Sequence, residues 1–149
     1  MKILLSLLLF FTFAFSAQLD KFASEVNYSR NYNSALKLAK EQNKLLMLVV
    51  VGDYCPWCKK FERKTLSSSL IKNKVSKDFI PLIIDKINDK GKYPDKFYSK
   101  YIPTVHFVNP KTQNTIFETL GYMKKKEFAQ NMNSALKSYK EGNTNVDKH

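Results

Sequence analysis

The sequence predicts an α/β domain: a mixed β-sheet, made of a βαβ unit and a C-terminal β-hairpin, with helices on both faces. Three observations predict it. Leu45-Leu46-Met47-Leu48-Val49-Val50-Val51 is a continuous apolar run of strand length, the pattern of a strand covered on both sides. A second such run, Phe79 to Ile84, follows after helical segments and far enough along for a parallel crossover. Two shorter runs, Val105 to Val108 and Thr115 to Leu120, flank the turn residues Asn109-Pro110 and are close enough to pair antiparallel. With 149 residues the chain suits one domain with a real core, placed at 17–141.

The first sixteen residues stand apart from that domain. Lys2 is their single charge; the apolar run Ile3 to Phe15 follows, then the small residues Ser16 and Ala17. A basic start, a short hydrophobic centre and a small-residue cleavage site make a secretory signal peptide, residues 1–16, cut after Ser16. The run is shorter than the roughly 20 residues of a membrane span, although an uncleaved anchor is the rival reading. Export, most simply to a bacterial periplasm, is the expected address.

Residues 17–32 are polar with scattered apolar positions and give no clear period. Asn33 or Ser34 caps a helix that runs to Gln42, with Ala35, Leu36, Leu38 and Ala39 as its apolar positions. After the first strand, Gly52-Asp53-Tyr54 turns the chain into Cys55-Pro56-Trp57-Cys58. A helix follows to Leu66, with Phe61 and Leu66 inward and Lys59, Lys60, Arg63 and Lys64 mostly outward. Ser69 caps a second short helix containing Leu70, Ile71 and Val75. Pro81 marks the next strand as a start or an edge. Asn88-Asp89-Lys90-Gly91 reads as a turn, and Pro94 begins a helical turn with Phe97 and Tyr98. Tyr101-Ile102-Pro103-Thr104 leads into the hairpin, and Gly121 closes it. Lys124 to Lys140 forms the last helix, with Phe128, Met132, Ala135, Leu136 and Tyr139 on one face. Residues 142–149 are polar and read as a flexible tail.

The net charge is +12, or +11 without the leader's one lysine. The lysines are spread along the chain, which reads first as a solvated surface and second as attraction to anionic headgroups or acidic partners. Nucleic acid is the poorest partner, because no basic-aromatic binding motif is present.

Cys55 and Cys58 are the only cysteines. At that spacing on the first turn of a helix they can close a small disulfide ring, and the first thiolate gains backbone N–H groups and the positive helix end. A structural staple is a weak explanation, since so short a loop constrains the unfolded chain least. Two thiolates do not complete a tetrahedral zinc site, and no Cys-His cluster supplies the rest. His106, the one histidine of the folded part, reads as an ordinary sheet residue. The expectation is a redox pair with no other cofactor and no stable metal.

Cys55-Pro56-Trp57-Cys58 after a buried strand, with Ile102-Pro103-Thr104 opening a strand 45 residues further on, resembles the thioredoxin superfamily from about Asn33 to Lys140. The run from Cys55 to Leu66 is most similar to exported thioredoxin-like proteins and the carboxy-terminal domain of the interchange protein DsbD. The resemblance implies a thioredoxin fold, a redox-active Cys55–Cys58 disulfide, and a cis Ile102–Pro103 bond beside it. It also implies a substrate loop at Ile102 and Pro103. Tyr54 and Trp57 flank the thiols, where each either touches substrate or packs. Pro56 preorganises the first helical turn. Tyr122 falls where the family places a rim of the substrate groove, although core packing serves it equally. Many thioredoxins carry a buried Asp six residues before the first cysteine; here Val49 stands there. Glu62 matches a Glu of the DsbD-like proteins and either tunes the site or is a solvated helix residue.

Thiol–disulfide exchange with protein thiols and disulfides is the chemistry these features imply. Lys59, Lys60 and Arg63 near the pair favour the thiolate and hence an oxidising disulfide, whereas the DsbD-like resemblance implies a reductant fed by a membrane redox partner. The reductant direction is the expectation. The rival of another class is a non-catalytic module that handles copper or binds a partner.

Overall fold

The computed structural model describes residues 17–146, with side chains described for 17–142. The segment read as a leader, 1–16, and the last three residues of the tail lie outside the described residues.

Helix α1 covers residues 17–26 and α2 is Tyr32–Gln42. Strand β1, Leu45–Val51, leads to helix α3, Pro56–Phe61, which continues without a break as a π-turn, Glu62–Leu66. Helix α4, Ser69–Asp78, runs into β2, Phe79–Asp85; a short turn of 3-10 helix, Asp95–Phe97, precedes β3, Thr104–Val108. Strand β4 is Thr115–Leu120 and helix α5 is Lys125–Val146. The sheet order is β2-β1-β3-β4. β1 and β2 are parallel, β1 and β3 antiparallel, and β3 and β4 antiparallel, so the βαβ unit and the hairpin meet at β1.

All seven residues of β1 are buried because both faces of the sheet are covered. Leu45, Met47, Val49 and Val51 face a cluster with Leu19, Phe22, Phe61, Ile71, Phe107, Phe128 and Met132. Leu46, Leu48 and Val50 face the opposite cluster with Leu36, Ala39, Leu82 and Phe97. The alternation is the two-residue period of a strand. Pro81 sits on β2, an edge strand, as its missing N–H requires. Ser29 covers the outer side of that edge: its N–H donates to the Pro81 carbonyl and its carbonyl accepts from Ile83 N–H, each at 3.0 Å.

Beyond shifts of one residue at the ends of β2, β3 and α5, the helices differ from the sequence reading in three places. Residues 17–26 form a helix, held by Leu19, Phe22, Ala23 and Val26, all buried at a spacing of three, four and seven. Helix α2 begins at Tyr32 and is capped by Asn31, whose Oδ1 accepts from Ser34 N–H at 2.9 Å. The earlier start buries Tyr32 against the Phe97 ring, with centroids 6.0 Å apart. Helix α5 runs past Lys140 and through Gly142 to Val146. A single glycine inside a helix costs about 1 kcal/mol, too little to stop one of this length.

An ionic knot around buried Asp89 ties α1 to the end of β2. Arg30 donates to the Ile83 carbonyl at 2.6 Å, pairs with buried Asp89 at 2.8 Å and reaches Asp20 on α1 at 2.7 Å. Asp89 also accepts from Asp85 N–H at 2.8 Å, so its lone pairs are used rather than stranded.

Candidate active site at the Cys55–Cys58 disulfide

The site grows out of the C-terminal end of β1. A Cβ on Gly52 would stand 2.8 Å from Ile102 Cδ1, so the glycine lets the Ile102 loop lie against the turn. Tyr54 then takes a left-handed backbone, φ 55°, a strained choice for an aromatic residue, and turns the strand toward the helix. Cys55 is extended, φ −107° and ψ 93°, and caps α3, with Pro56 at the first helical positions where no N–H is needed.

Cys55 and Cys58 are joined as a disulfide, their Cα atoms 5.2 Å apart. The two sulfurs have unequal surroundings. Cys55 is half-buried, whereas Cys58 is wholly buried in the apolar cluster that also holds Val49. Cys58 N–H points at Cys55 Sγ from 3.1 Å, a donor placed to hold a thiolate there. On the other side, the Ile102 carbonyl oxygen lies 3.9 Å from Cys55 Sγ. The Ile102–Pro103 bond is cis, Pro103 is buried, and its carbonyl accepts from Gly121 N–H at 2.7 Å. The loop therefore stands fixed beside the one sulfur that a second molecule can reach.

Aromatic side chains border this sulfur. Tyr54 is 81% and Trp57 56% exposed, and Trp57 leans on Tyr122 with ring centroids 5.7 Å apart. Lys60 Nζ lies 4.8 Å from the Trp57 ring centre and 4.7 Å from that of Tyr122, a cation held by both rings. On the opposite side a groove of about 390 Å³ is lined by Gln18, Asp53, Tyr54, Cys55, Pro56 and Lys59. Gln18 belongs to α1, so the helix missed in the sequence borders the site. The spacing of Leu19, Phe22, Ala23 and Val26 is the signal that would have found it. Nothing in the sequence pairs Lys60 with two rings, because one of them comes from the far end of the chain.

Glu62 is not a solvated helix residue. It is 4% exposed, one turn beyond Cys58, whose carbonyl accepts from Glu62 N–H. Its place four residues after Cys58 and one after Phe61 puts it on their buried helix face, and the π-turn that begins there is closed by Ser67, whose N–H and Oγ both donate to the Glu62 carbonyl at 3.0 and 2.8 Å. Lys59 Nζ pairs with the carboxylate at 3.3 Å. Burial pushes the Glu62 carboxyl above the ordinary carboxylate value, against the smaller opposing pull of Lys59 and Arg63. A carboxyl with a raised folded-state pKa favours folding fully below its unfolded value of 4.5, and that contribution is lost as pH rises through the folded value. Glu62→Gln is therefore expected to be more stable than the parent at neutral pH and to lose that advantage near pH 4. Urea unfolding at a series of pH values checks it.

His106 lies elsewhere. It pairs with Leu48 across β1 and β3, on the sheet face away from Cys58, with its ring against Phe97 at 5.6 Å. Burial lowers its pKa, opposed by Glu118, whose Oε2 lies 3.4 Å from Nδ1. Among the described residues no group of three or more His, Cys, Asp or Glu could hold a metal ion, and no helix is long and apolar enough to cross a membrane.

The sequence model of thioredoxin-like proteins matches residues 26–110. The chain belongs to the thioredoxin-like family. Among curated relatives, it is 29% identical to anterior gradient protein 1 of Xenopus tropicalis over 87 residues, covering 58% of this chain and 45% of that protein. It is 26% identical to anterior gradient protein 3 of Mus musculus over 87 residues, covering 58% of this chain and 51% of that one. The chain thus spans about half the length of the curated relatives it matches. Among solved structures, a thioredoxin from Thermus thermophilus superposes with a TM-score of 0.64 at 20% identity, covering 72% of this chain and 85% of that one. The oxidised carboxy-terminal domain of Neisseria meningitidis DsbD gives 0.58 at 19% identity, covering 69% and 90%. An oxidoreductase named DsbH gives 0.58 at 20%, covering 74% and 87%. The thioredoxin-like fold with a close Cys55–Cys58 disulfide is the equipment of a thiol–disulfide oxidoreductase.

Proposed function

We propose that this protein is an exported thiol–disulfide oxidoreductase that reduces disulfides in protein substrates. The observation that carries the reading is the inequality of the two sulfurs: one reachable beside a fixed loop carbonyl, the other buried behind it. In the reduced protein the Cys55 thiolate attacks one sulfur of a substrate disulfide. The substrate's other sulfur leaves as a thiolate and takes a proton, and a mixed disulfide remains on Cys55. Cys58, once deprotonated, attacks Cys55 Sγ and expels the second substrate thiolate, which is also protonated. Two electrons pass from the dithiol to the substrate, and the Cys55–Cys58 disulfide is left behind. A dithiol donor must then return two electrons; a membrane redox partner is the donor that fits an exported protein. The Ile102 and Pro103 loop would hold the substrate chain, with Tyr54 and Trp57 on either side of the attacked sulfur.

Two features favour the reductant direction. Lys59 is engaged by Glu62, so its charge is offset rather than lent to a thiolate. A buried carboxylate one turn from Cys58 disfavours a second negative charge there, which stabilises the disulfide relative to the reduced pair. Glu62 is also the nearest carboxylate along α3 that could take the Cys58 proton, a role for which Val49 is useless. Export rests on the leader read in residues 1–16, and the DsbD and DsbH likenesses suit a periplasmic address.

The reading is tested by a trap. Cys58→Ala leaves Cys55 able to attack but unable to release. Expressed with the leader intact, it is expected to retain exported proteins through disulfides to Cys55 that dissolve on reduction. A Cys58→Ala protein that gathers none, beside a wild-type protein inert toward insulin disulfides, returns the chain to the non-catalytic binding module.

A further inference from the structure

Two segments bring basic side chains to one side of the disulfide. Lys60, Arg63 and Lys64 are exposed on α3 and its π-turn, and Lys124, Lys125 and Lys126 are exposed at the start of α5. The fold presses these segments together. Thr65 Oγ1 donates to the Met123 carbonyl at 2.5 Å, and the Phe61 ring meets Phe128 edge-on at 5.1 Å. Trp57, from inside the cysteine pair, packs on Tyr122, and Lys60 is held over both rings. Among the described residues of these segments, Glu127 is the one exposed carboxylate, because Glu62 is buried against Lys59. Asp53 lies on the other flank of Cys55 and is engaged by Asn88 at 2.6 Å.

Helix starts favour carboxylates and disfavour cations, yet Lys124, Lys125 and Lys126 stand at the start of α5, where Glu127 is the one acidic residue of the first turn, so the helix itself gains nothing from them. We propose that this surface selects acidic partners: proteins that carry carboxylates beside the disulfide that Cys55 attacks. The proposal rests on the oxidoreductase reading and names its substrate class. Single exposed ion pairs are weak, but a field of one sign around a reactive atom raises the encounter rate with an oppositely charged partner. Lys60 adds a fixed element, since its ammonium is anchored to the rings bordering the attacked sulfur and can meet a carboxylate there. An anionic bilayer fits the surface less well, because seating on it would cover the Trp57 side of the disulfide.

The test uses purified protein with dithiothreitol as reductant and three cyclic disulfide peptides of one length. They differ only in carrying Glu, Gln or Lys beside the cysteines. The expected kcat/KM for the Glu peptide is about tenfold above that for the Lys peptide at low salt, with the Gln peptide between. Screening at about 0.5 M salt is expected to bring the ratio close to one. The triple variant Lys60→Gln, Lys124→Gln, Lys125→Gln is expected to lower the ratio at low salt, each rate being normalised to turnover of uncharged hydroxyethyl disulfide. Equal rates on the three peptides, or a ratio indifferent to salt and to the variant, overturns the proposal while hydroxyethyl disulfide turnover keeps the oxidoreductase reading. Binding to phosphatidylglycerol vesicles without any peptide preference overturns it in favour of lipid. Failure to turn over any of the four disulfides sinks the oxidoreductase reading, and this proposal with it.

Discussion

Cys55→Ser is expected to reduce catalysed insulin disulfide reduction to the background of the reductant alone. Serine at this position is nearly isosteric, but its hydroxyl stays protonated at neutral pH and forms no disulfide, so the first step has no nucleophile. The loss should be complete rather than partial because Cys58 has no exposed surface and no route to a substrate sulfur. Stability should change far less, since a disulfide closing so short a loop contributes little through the unfolded chain. Turbidimetric insulin assays on the parent and variant, paired with urea unfolding of both oxidised and reduced protein, separate the two effects. A Cys55→Ser protein that still catalyses reduction would shift the chemistry to Cys58.

Phe107→Ala is expected to be the most damaging single change to the fold, at about 4 kcal/mol. Phe107 is fully buried on β3 and touches three other rings: Phe79 at 5.6 Å, Phe117 at 6.0 Å and Phe128 at 6.3 Å between centroids. Those rings come from β2, β4 and α5, so the residue joins both halves of the sheet to the last helix. Truncation leaves a cavity that rigid strands on either side cannot close. Against a total of about 5–15 kcal/mol, the variant stands near the edge of folding. Leu120→Ala, on the exposed end of β4, serves as the contrast and is expected to cost less than about 0.5 kcal/mol. Equal midpoints for the two variants in urea would contradict the packing described here.

What the sequence made legible follows from how locally each feature is encoded. The four strands declare themselves because β1 is apolar without interruption and the hairpin runs are bounded by turn residues. The thioredoxin-like fold was legible for the same reason, with the cysteine motif fixed at the end of β1 and Pro103 at the start of β3. Helix α1 escaped because polar residues such as Asp20, Lys21, Ser24 and Glu25 dilute a four-residue apolar stripe. Glu62 stays open between a tuning and a solvated role in the sequence because a carboxylate is rarely buried, although its spacing of four from Cys58 and one from Phe61 already places it on their inward face. Helix α5 outruns its reading to Lys140, and takes in 142–146 of the segment read as a flexible tail, because the residues after Tyr139 are polar and carry no apolar period to mark a helix. The junction of Trp57, Lys60 and Tyr122 could not be read at all, since it exists only once α3 and α5 are side by side. Features set by a few adjacent residues were readable; those set by packing between distant segments were not.

The central claim is that Cys55 and Cys58 form a reversible redox couple that exchanges with protein disulfides. The direct measurement is equilibration of the wild-type protein in a series of dithiothreitol buffers, acid quench, and counting of alkylated thiols by mass. The account predicts one transition in which both thiols appear together, fitting a two-electron couple, with the reduced form passing its electrons to insulin. A disulfide that stays closed across the series, or a reduced pair that never hands its electrons on, would contradict it.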